Sequence, residues 1–324
     1  MVQLKDQINL SSLSFAINQV KMRYPYFCVE LKKDENGYYF IKNNREIILE
    51  HISKDITLNS NESNFHFILF QYNDDNYIII NFVHAIIDGK GVCEVIKTLL
   101  YYFISNAYNV ELSKENIRLV EDEIKEEEFN DSLLNVINTI NPARTETPSC
   151  LNVIQESKLK NQNKVIYHLS IDEKELMDYV KSIKATPGTL MAILLSKAIK
   201  KENINSEHII RINICCDLRK LLNAPLAHQY LVGGIVFDYD EKLDSLNFVD
   251  QIKAIREKAK ESLEEPQSLN AISSIYNLLL RFSNLKDETT IKQIATMLNN
   301  KTKGIVSGNI NRKNKLWRYR EIYY

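Results

Sequence analysis

The segment His84-Ala-Ile-Ile-Asp88-Gly89 constrains the fold of this chain more than any other. It follows an apolar run, Tyr77 to Val83, of the kind that predicts a buried β-strand. It precedes Gly91 to Phe103, where the spacing of apolar residues predicts an amphipathic helix. The Asp-Gly and Lys-Gly pairs between them favour a tight turn. The sequence therefore predicts a strand, a turn and a helix in succession, with a histidine where the strand ends.

A histidine in that position is suited to acid–base chemistry. Imidazole is the side chain whose ordinary pKa, about 6.5, permits proton exchange near neutral pH. A second strand, Phe65 to Phe70, is predicted to pair with the motif strand across a turn at Asn73 to Asn76, which would hold the histidine rigidly. The alternative is a histidine packed beside an ordinary Asp-Gly turn. The motif in its strand–turn–helix context favours His84 as a general base.

His84 to Gly89 resembles the HxxxDG signature of the chloramphenicol-acetyltransferase-like superfamily. That superfamily includes alcohol O-acetyltransferases, plant BAHD acyltransferases and the condensation domains of nonribosomal peptide synthetases. The resemblance implies a mixed α/β (α+β) fold of two lobes, each with a mixed sheet, and an active-site channel between them. Condensation domains usually carry a second histidine directly before the catalytic one. Here that position is Val83, which favours a free-standing acyltransferase.

A second segment, Asp217-Leu-Arg219, is similar to the D-x-R segment of BAHD enzymes, and a Pro-Leu pair and an aromatic-x-Gly run follow it at similar spacing. In such proteins an arginine from this region pairs with the aspartate of HxxxDG. The resemblance therefore implies that Arg219 pairs with Asp88 and locks the turn that presents His84. A buried carboxylate needs such a partner, and a planar guanidinium can satisfy both of its oxygens. The alternative is that Asp217 and Arg219 are surface residues at the end of a strand.

The length allows two cores or one large one, and the resemblance implies two lobes, residues 1–150 carrying the motif and residues 151–324 forming the second. In the first, Ser11 or Ser12 is predicted to cap a helix that Pro25 stops, and Asp34 to Gly37 predicts a hairpin turn. In the second, Asp172 with Glu175 predicts a capping box. Further elements are predicted at three places in the second lobe: strands at 164–170 and 209–216, and a helix at 190–199.

The charge run, the other histidines and the C-terminal tail are each interpreted without a catalytic role. The charge run Glu121 to Glu128 is typical of a solvated helix face. The remaining histidines are not favoured as catalytic residues: His168 and His208 have no acid at a useful spacing, and His51 and His228 lie in expected loops. The basic and aromatic tail, residues 311–324, could stack on single-stranded nucleic acid, but an interfacial or frayed terminus is favoured. Relatives continue beyond the point where this chain stops, so the second lobe is expected to be shortened relative to the superfamily.

Composition narrows the classes of function. The formal net charge of −1 gives no general reason to bind nucleic acid or an anionic membrane. Five scattered cysteines without a C-x-x-C pair predict neither a disulfide framework nor a metal site. No stretch approaches about 18 uninterrupted apolar residues, and the N-terminus lacks a secretory apolar region, so no membrane span and a cytoplasmic location are expected.

The combined expectation is an acyltransferase that moves an acyl group, with acetyl as the first choice, from a CoA thioester to an alcohol or amine. His84 would be the catalytic base, and Asp88, Gly89 and Arg219 would shape the site, with Gly89 letting the backbone bend near the donor. Acyl-CoA would be a co-substrate, a small molecule the acceptor, and no bound cofactor is expected. Two alternatives remain: a condensation-type domain that uses a carrier-protein thioester, and an inactive member that serves as a binding module.

Overall fold

The computed structural model describes residues 1–35, 37–45, 47, 49–52, 68–84, 86–133, 150–151, 171–202, 209–229 and 231–263, with short pieces at 289–290, 292–293, 305–308 and 322–323. The chain forms two compact units, one of residues 1–132 with 222–231 and the other of residues 133–221 with 232–324. A division at residue 150 stays a prediction. The segment Leu222–Leu231 thus belongs to the first unit although it lies within the second half of the sequence.

The first helix, α1 (Leu10–Arg23), contributes an apolar face to the first unit. Its cap differs from the prediction, because the Asn9 side chain accepts the Ser12 N–H at 3.1 Å and the helix begins before either serine. Asparagine is as good an N-cap as serine, and Asn9 stands two residues before Ser11. The predicted apolar face is confirmed, and its members are all buried: Leu13, Ile17, Val20 and Tyr24.

A four-stranded sheet carries the motif. Its strands are β1 (Val2–Gln3), β4 (Leu49–His51), β5 (Ile68–Tyr72) and β6 (Tyr77–Phe82), in the order β1-β6-β5-β4. The predicted β5–β6 hairpin is confirmed, with Phe70 opposite Ile80, whereas residues 65–67 lie outside the described residues. Asn73 accepts the Tyr77 N–H at 3.0 Å and closes the turn. The motif strand β6 is therefore paired on both edges.

A separate two-stranded sheet is formed by β2 (Val29–Asp34) and β3 (Gly37–Lys42), where Asp34 pairs with Gly37 as the hairpin signal predicts. The long helix of the first unit is α2 (Gly89–Tyr108), which begins at the last residue of the motif.

The second unit combines helices and a second sheet. Its helices are α3 (Glu173–Ser182), α4 (Pro187–Glu202), α5 (Glu241–Asp244) and α6 (Phe248–Leu263). Its sheet, ordered β10-β9-β7-β8, contains β7 (Ile210–Asp217), β8 (Val232–Tyr239), β9 (Ile305–Gly308) and β10 (Ile322–Tyr323). Asp172 caps α3 by accepting the Glu175 N–H at 3.0 Å, as the sequence predicts. The strand predicted at 164–170 lies outside the described residues.

The structure of the charge run Glu121 to Glu128 differs from the solvated helix face that the sequence predicts. It is not a solvated helix: only Glu126–Glu128 form a short 3-10 helix, and Glu128 is buried at 2% exposure. A carboxylate at that depth needs a partner. Arg23 supplies it from the last turn of α1, with two hydrogen bonds of 2.9 Å.

Candidate active site

The motif turn lies between β6 and α2. Its two ionisable residues differ in exposure: His84 is exposed and Asp88 is buried. His84 is exposed, and its ring centroid lies 5.9 Å from that of Phe82 at the end of β6. Ile87, next to the aspartate, is fully buried and anchors the turn to the core. Because β6 and α2 are both packed, the backbone of the turn between them is held firmly while the imidazole is exposed to solvent.

Asp88 has no exposed surface and is the N-cap of α2. Its Oδ1 accepts the Gly91 N–H at 2.9 Å, and its Oδ2 accepts the Leu231 N–H at 3.1 Å. Its own N–H donates to the carbonyl oxygen of His228 at 3.3 Å. A carboxylate at a helix N-terminus is further stabilised by the positive end of the helix dipole. Asp88 therefore has a structural place in the turn and points away from the surface that bears His84.

Arg219 follows the end of β7 in the second unit and is 4% exposed. Its side chain donates to Oδ1 of Asp217 at 3.0 Å, and its backbone N–H donates to the same oxygen at 3.1 Å. The alternative of a surface arginine is wrong, because the side chain is buried. The pairing of Arg219 with Asp88 stays a prediction.

The two glycines of the turn have different roles. A Cβ added at Gly89 would meet no atom of the described residues within 4 Å. A Cβ added at Gly91 would lie 2.5 Å from the carbonyl oxygen of His228 and 2.8 Å from Cγ1 of Ile87. The sequence interpretation gave the essential backbone role to Gly89, whereas close packing falls on Gly91. The extra glycine, two residues after the motif, was the signal for it.

Gly91→Ala is expected to lower the free energy of unfolding by about 1–3 kcal/mol, because backbone cannot yield to an added methyl group. Gly89→Ala is the matched control on the same turn of helix. It is expected to be neutral or stabilising by about 1 kcal/mol, because alanine favours helix and no described atom is in the way. Urea unfolding of both variants measures the difference. Equal effects of the two substitutions would contradict the assignment of close packing to Gly91.

Sequence reasoning missed His228, which lies outside the motif and is fully buried. Arg118 donates to its Nε2 at 3.0 Å, and Tyr26 lies 2.9 Å from its Nδ1 through the phenolic oxygen. Glu128, already paired with Arg23, accepts the Tyr26 hydroxyl at 3.1 Å. We call these five residues, Arg23, Tyr26, Arg118, Glu128 and His228, the His228 cluster. Because its members are distant in sequence, their spacing carried no signal.

The His228 cluster predicts an acid-sensitive fold. Burial, and next the positive charge of Arg118, lower the pKa of His228 to about 3, whereas an unfolded histidine has a pKa of about 6.5. Between these values the unfolded chain binds one more proton than the folded chain. The free energy of unfolding should therefore fall as the pH drops from 6.5 towards 3, by up to about 1.4 kcal/mol per pH unit from this group.

His228→Gln, which cannot titrate, isolates this contribution from that of the carboxylates. Urea unfolding between pH 4 and pH 7 is expected to give a shallower pH dependence for the variant than for the wild type. Parallel curves would mean that His228 is not buried as a neutral ring.

Among the described residues, no group of three or more His, Cys, Asp and Glu could hold a metal ion. Within the same residues, no helix is both long enough and apolar enough to span a bilayer.

Comparison with protein-family models gives no match, and comparison with curated protein sequences gives none either. Solved structures do match. Polyketide synthase associated protein 5 from Mycobacterium tuberculosis is 15% identical, with a TM-score of 0.56 over 83% of this chain and 70% of that one. The condensation domain of the Monacolin K polyketide synthase MokA is 11% identical, with a TM-score of 0.53 over 85% and 68%. TRI101 from F. sporotrichioides, complexed with coenzyme A and T-2, is 12% identical, with a TM-score of 0.50 over 82% and 68%.

These likenesses show the fold. The chain has the mixed α/β fold of condensation domains and of TRI101, and the fold that the resemblance at His84 to Gly89 implied is confirmed. At 11–15% identity they carry no residue roles to this chain.

Proposed function

We propose that this protein is an acyltransferase that moves an acyl group from a CoA thioester to an alcohol or amine, with His84 as general base. The observation that carries the proposal is the division of the motif between an exposed imidazole and a fully buried aspartate that caps α2. A general base needs a backbone that packing holds in place and a side chain that a substrate can reach.

The reaction needs no covalent intermediate on the protein. The acceptor O–H or N–H gives its proton to the imidazole of His84 as the oxygen or nitrogen attacks the thioester carbonyl carbon. The tetrahedral oxyanion then collapses, the carbon–sulfur bond breaks, and the departing thiolate takes the proton back from the imidazolium. Free CoA and the acylated acceptor are the products, and His84 returns to its neutral state.

CoA is the proposed donor for two reasons. Val83 stands where condensation domains usually have a second histidine. TRI101, which has this fold, is complexed with coenzyme A. A thiol-release assay tests the choice: acetyl-CoA and longer acyl-CoA donors are each incubated with pooled alcohol and amine metabolites, and products are identified by mass spectrometry. Acceptor-dependent release of free CoA is expected.

A carrier-protein thioester is the second candidate donor, favoured by the likeness to the condensation domain of MokA. The same assay with an acyl-pantetheinyl carrier protein separates the two. Transfer from the carrier thioester, with no acceptor-dependent release from any acyl-CoA, would replace the CoA proposal. Tight binding of an acceptor without transfer from either donor would instead indicate a binding module.

A further inference from the structure

The cap at Asp88 is completed by backbone from a remote segment. Leu231, 143 residues away in the chain, donates its N–H to Oδ2 of Asp88. The carbonyl oxygen of His228 accepts the Asp88 N–H and lies 2.5 Å from the position that a Cβ on Gly91 would take. The turn that presents His84 therefore rests on Leu222–Leu231, and its geometry depends on how firmly that segment is held.

Two side chains and one backbone carbonyl, all remote in sequence, hold the segment. Arg118 donates to the Leu226 carbonyl oxygen at 3.1 Å and to the His228 ring at 3.0 Å. Glu127 accepts the Leu226 N–H at 2.6 Å. The backbone carbonyl of Glu128 accepts the His228 N–H at 3.1 Å. Leu226 is thus bound through its backbone, and His228 through its backbone and its side chain.

The direction of each hydrogen bond in the His228 cluster is determined. A guanidinium can only donate, so Nε2 of His228 accepts from Arg118 and the ring proton must be on Nδ1. Nδ1–H then faces the Tyr26 oxygen at 2.9 Å, and the Tyr26 hydroxyl donates onward to Oε2 of Glu128 at 3.1 Å. Nδ1–H has a second acceptor in the Glu128 carbonyl oxygen at 3.3 Å. Turning the ring over would break the bond between Nε2 and Arg118.

The charges favour the same arrangement. The carboxylate of Glu128 lies 2.9 Å from Arg23 and 3.5 Å from Arg118, so two cations surround one anion. A third positive charge on the His228 ring would be repelled, and burial opposes it as well. The ring therefore stays neutral and acts as a fixed acceptor for Arg118 rather than as a proton carrier.

We infer that His228 is a positioning residue of the active site: with Tyr26, Arg118 and Glu128 it fixes Leu222–Leu231, whose backbone holds Asp88 and hence the turn that carries His84. The inference rests on the proposed function for its catalytic consequence. Its structural part, the hydrogen bonds by which Leu222–Leu231 is held against Asp88 (the clamp), can be measured without activity. A base displaced by about 1 Å can cost as much as 100-fold in rate, so loosening this clamp should be visible in turnover.

Tyr26→Phe tests the inference, because it removes only the hydroxyl that joins His228 to Glu128. Tyr24→Phe is the matched control, since it also removes a buried hydroxyl, bonded to Thr98 at 2.8 Å, but leaves the segment's hydrogen bonds intact. For Tyr26→Phe we expect kcat to fall about 10-fold with unchanged KM for both substrates. Amide hydrogen exchange at Gly91 and Leu231 should become about 10-fold faster or more. Neither change is expected for Tyr24→Phe.

A further pair of variants tests the ring itself. His228→Gln offers Arg118 an amide oxygen near the position of Nε2, and it should keep more turnover than His228→Leu, which offers none. Wild-type exchange at Gly91 and Leu231 in Tyr26→Phe, or equal losses in Tyr24→Phe, would overturn the inference. If the wild type transfers no acyl group, the proposed function fails, and amide exchange alone then decides whether the clamp exists.

Discussion

Replacing His84 with alanine is expected to lower kcat/KM for acyl transfer roughly 10²–10⁴-fold, the usual contribution of a general base. The fold should be unaffected, because the side chain is exposed and substitutions at such positions change stability by about 0.5 kcal/mol or less. Acceptor-dependent thiol release measures the rate, and urea unfolding checks the fold.

His51→Ala serves as the matched control. His51, on β4, also has an exposed ring and lies outside the motif. Its Nε2 is hydrogen-bonded to Oδ1 of Asp74 at 2.9 Å. It should retain full turnover. If the His84 variant turned over at the wild-type rate while chemistry limits the reaction, a different group would have to be the base.

Glu128→Gln is expected to destabilise the protein by about 3–5 kcal/mol, the cost of leaving a buried cation without its partner. Both oxygens of Glu128 accept from Arg23, and the two side chains are 3% and 2% exposed. Burial by itself would raise the pKa of Glu128, but hydrogen bonds from Arg23 and from the Lys125 N–H outweigh it and lower that pKa below its ordinary value. The carboxylate is therefore charged at neutral pH, and the variant removes that charge.

Glu121→Gln is the control within the same charge run. Its pair with Lys114, at 3.0 Å, is exposed on both sides, and such pairs contribute about 0–1 kcal/mol. Urea unfolding should separate the two variants clearly. If Glu128→Gln proves too unstable to study, adding Arg23→Met should recover part of the loss, because no unpaired cation then remains at that position. Fully additive losses would contradict a coupled pair.

The sequence by itself determined the local geometry of the site. Apolar runs predicted β5 and β6, and short polar turns joined them, because alternation and turn chemistry act over a few residues. The Asp-Gly pair predicted the turn at which α2 begins, and an aspartate is a preferred N-cap. The placing of His84 at the end of β6 and of Asp88 at the start of α2 follows from these local preferences together with the resemblance to HxxxDG.

The tertiary structure decided what lies beneath the turn. Arg23 and Glu128 are 105 residues apart, and the carboxylate looked like one more charge on a solvated run. His228 looked like a loop residue, and Gly91 like a residue of the turn before the helix. Each is constrained by an atom far away in the chain, so no spacing rule could reveal it. Burial is the physical reason: once Leu222–Leu231 packs against α2, the polar groups enclosed there lose water and need partners, which only the folded chain supplies.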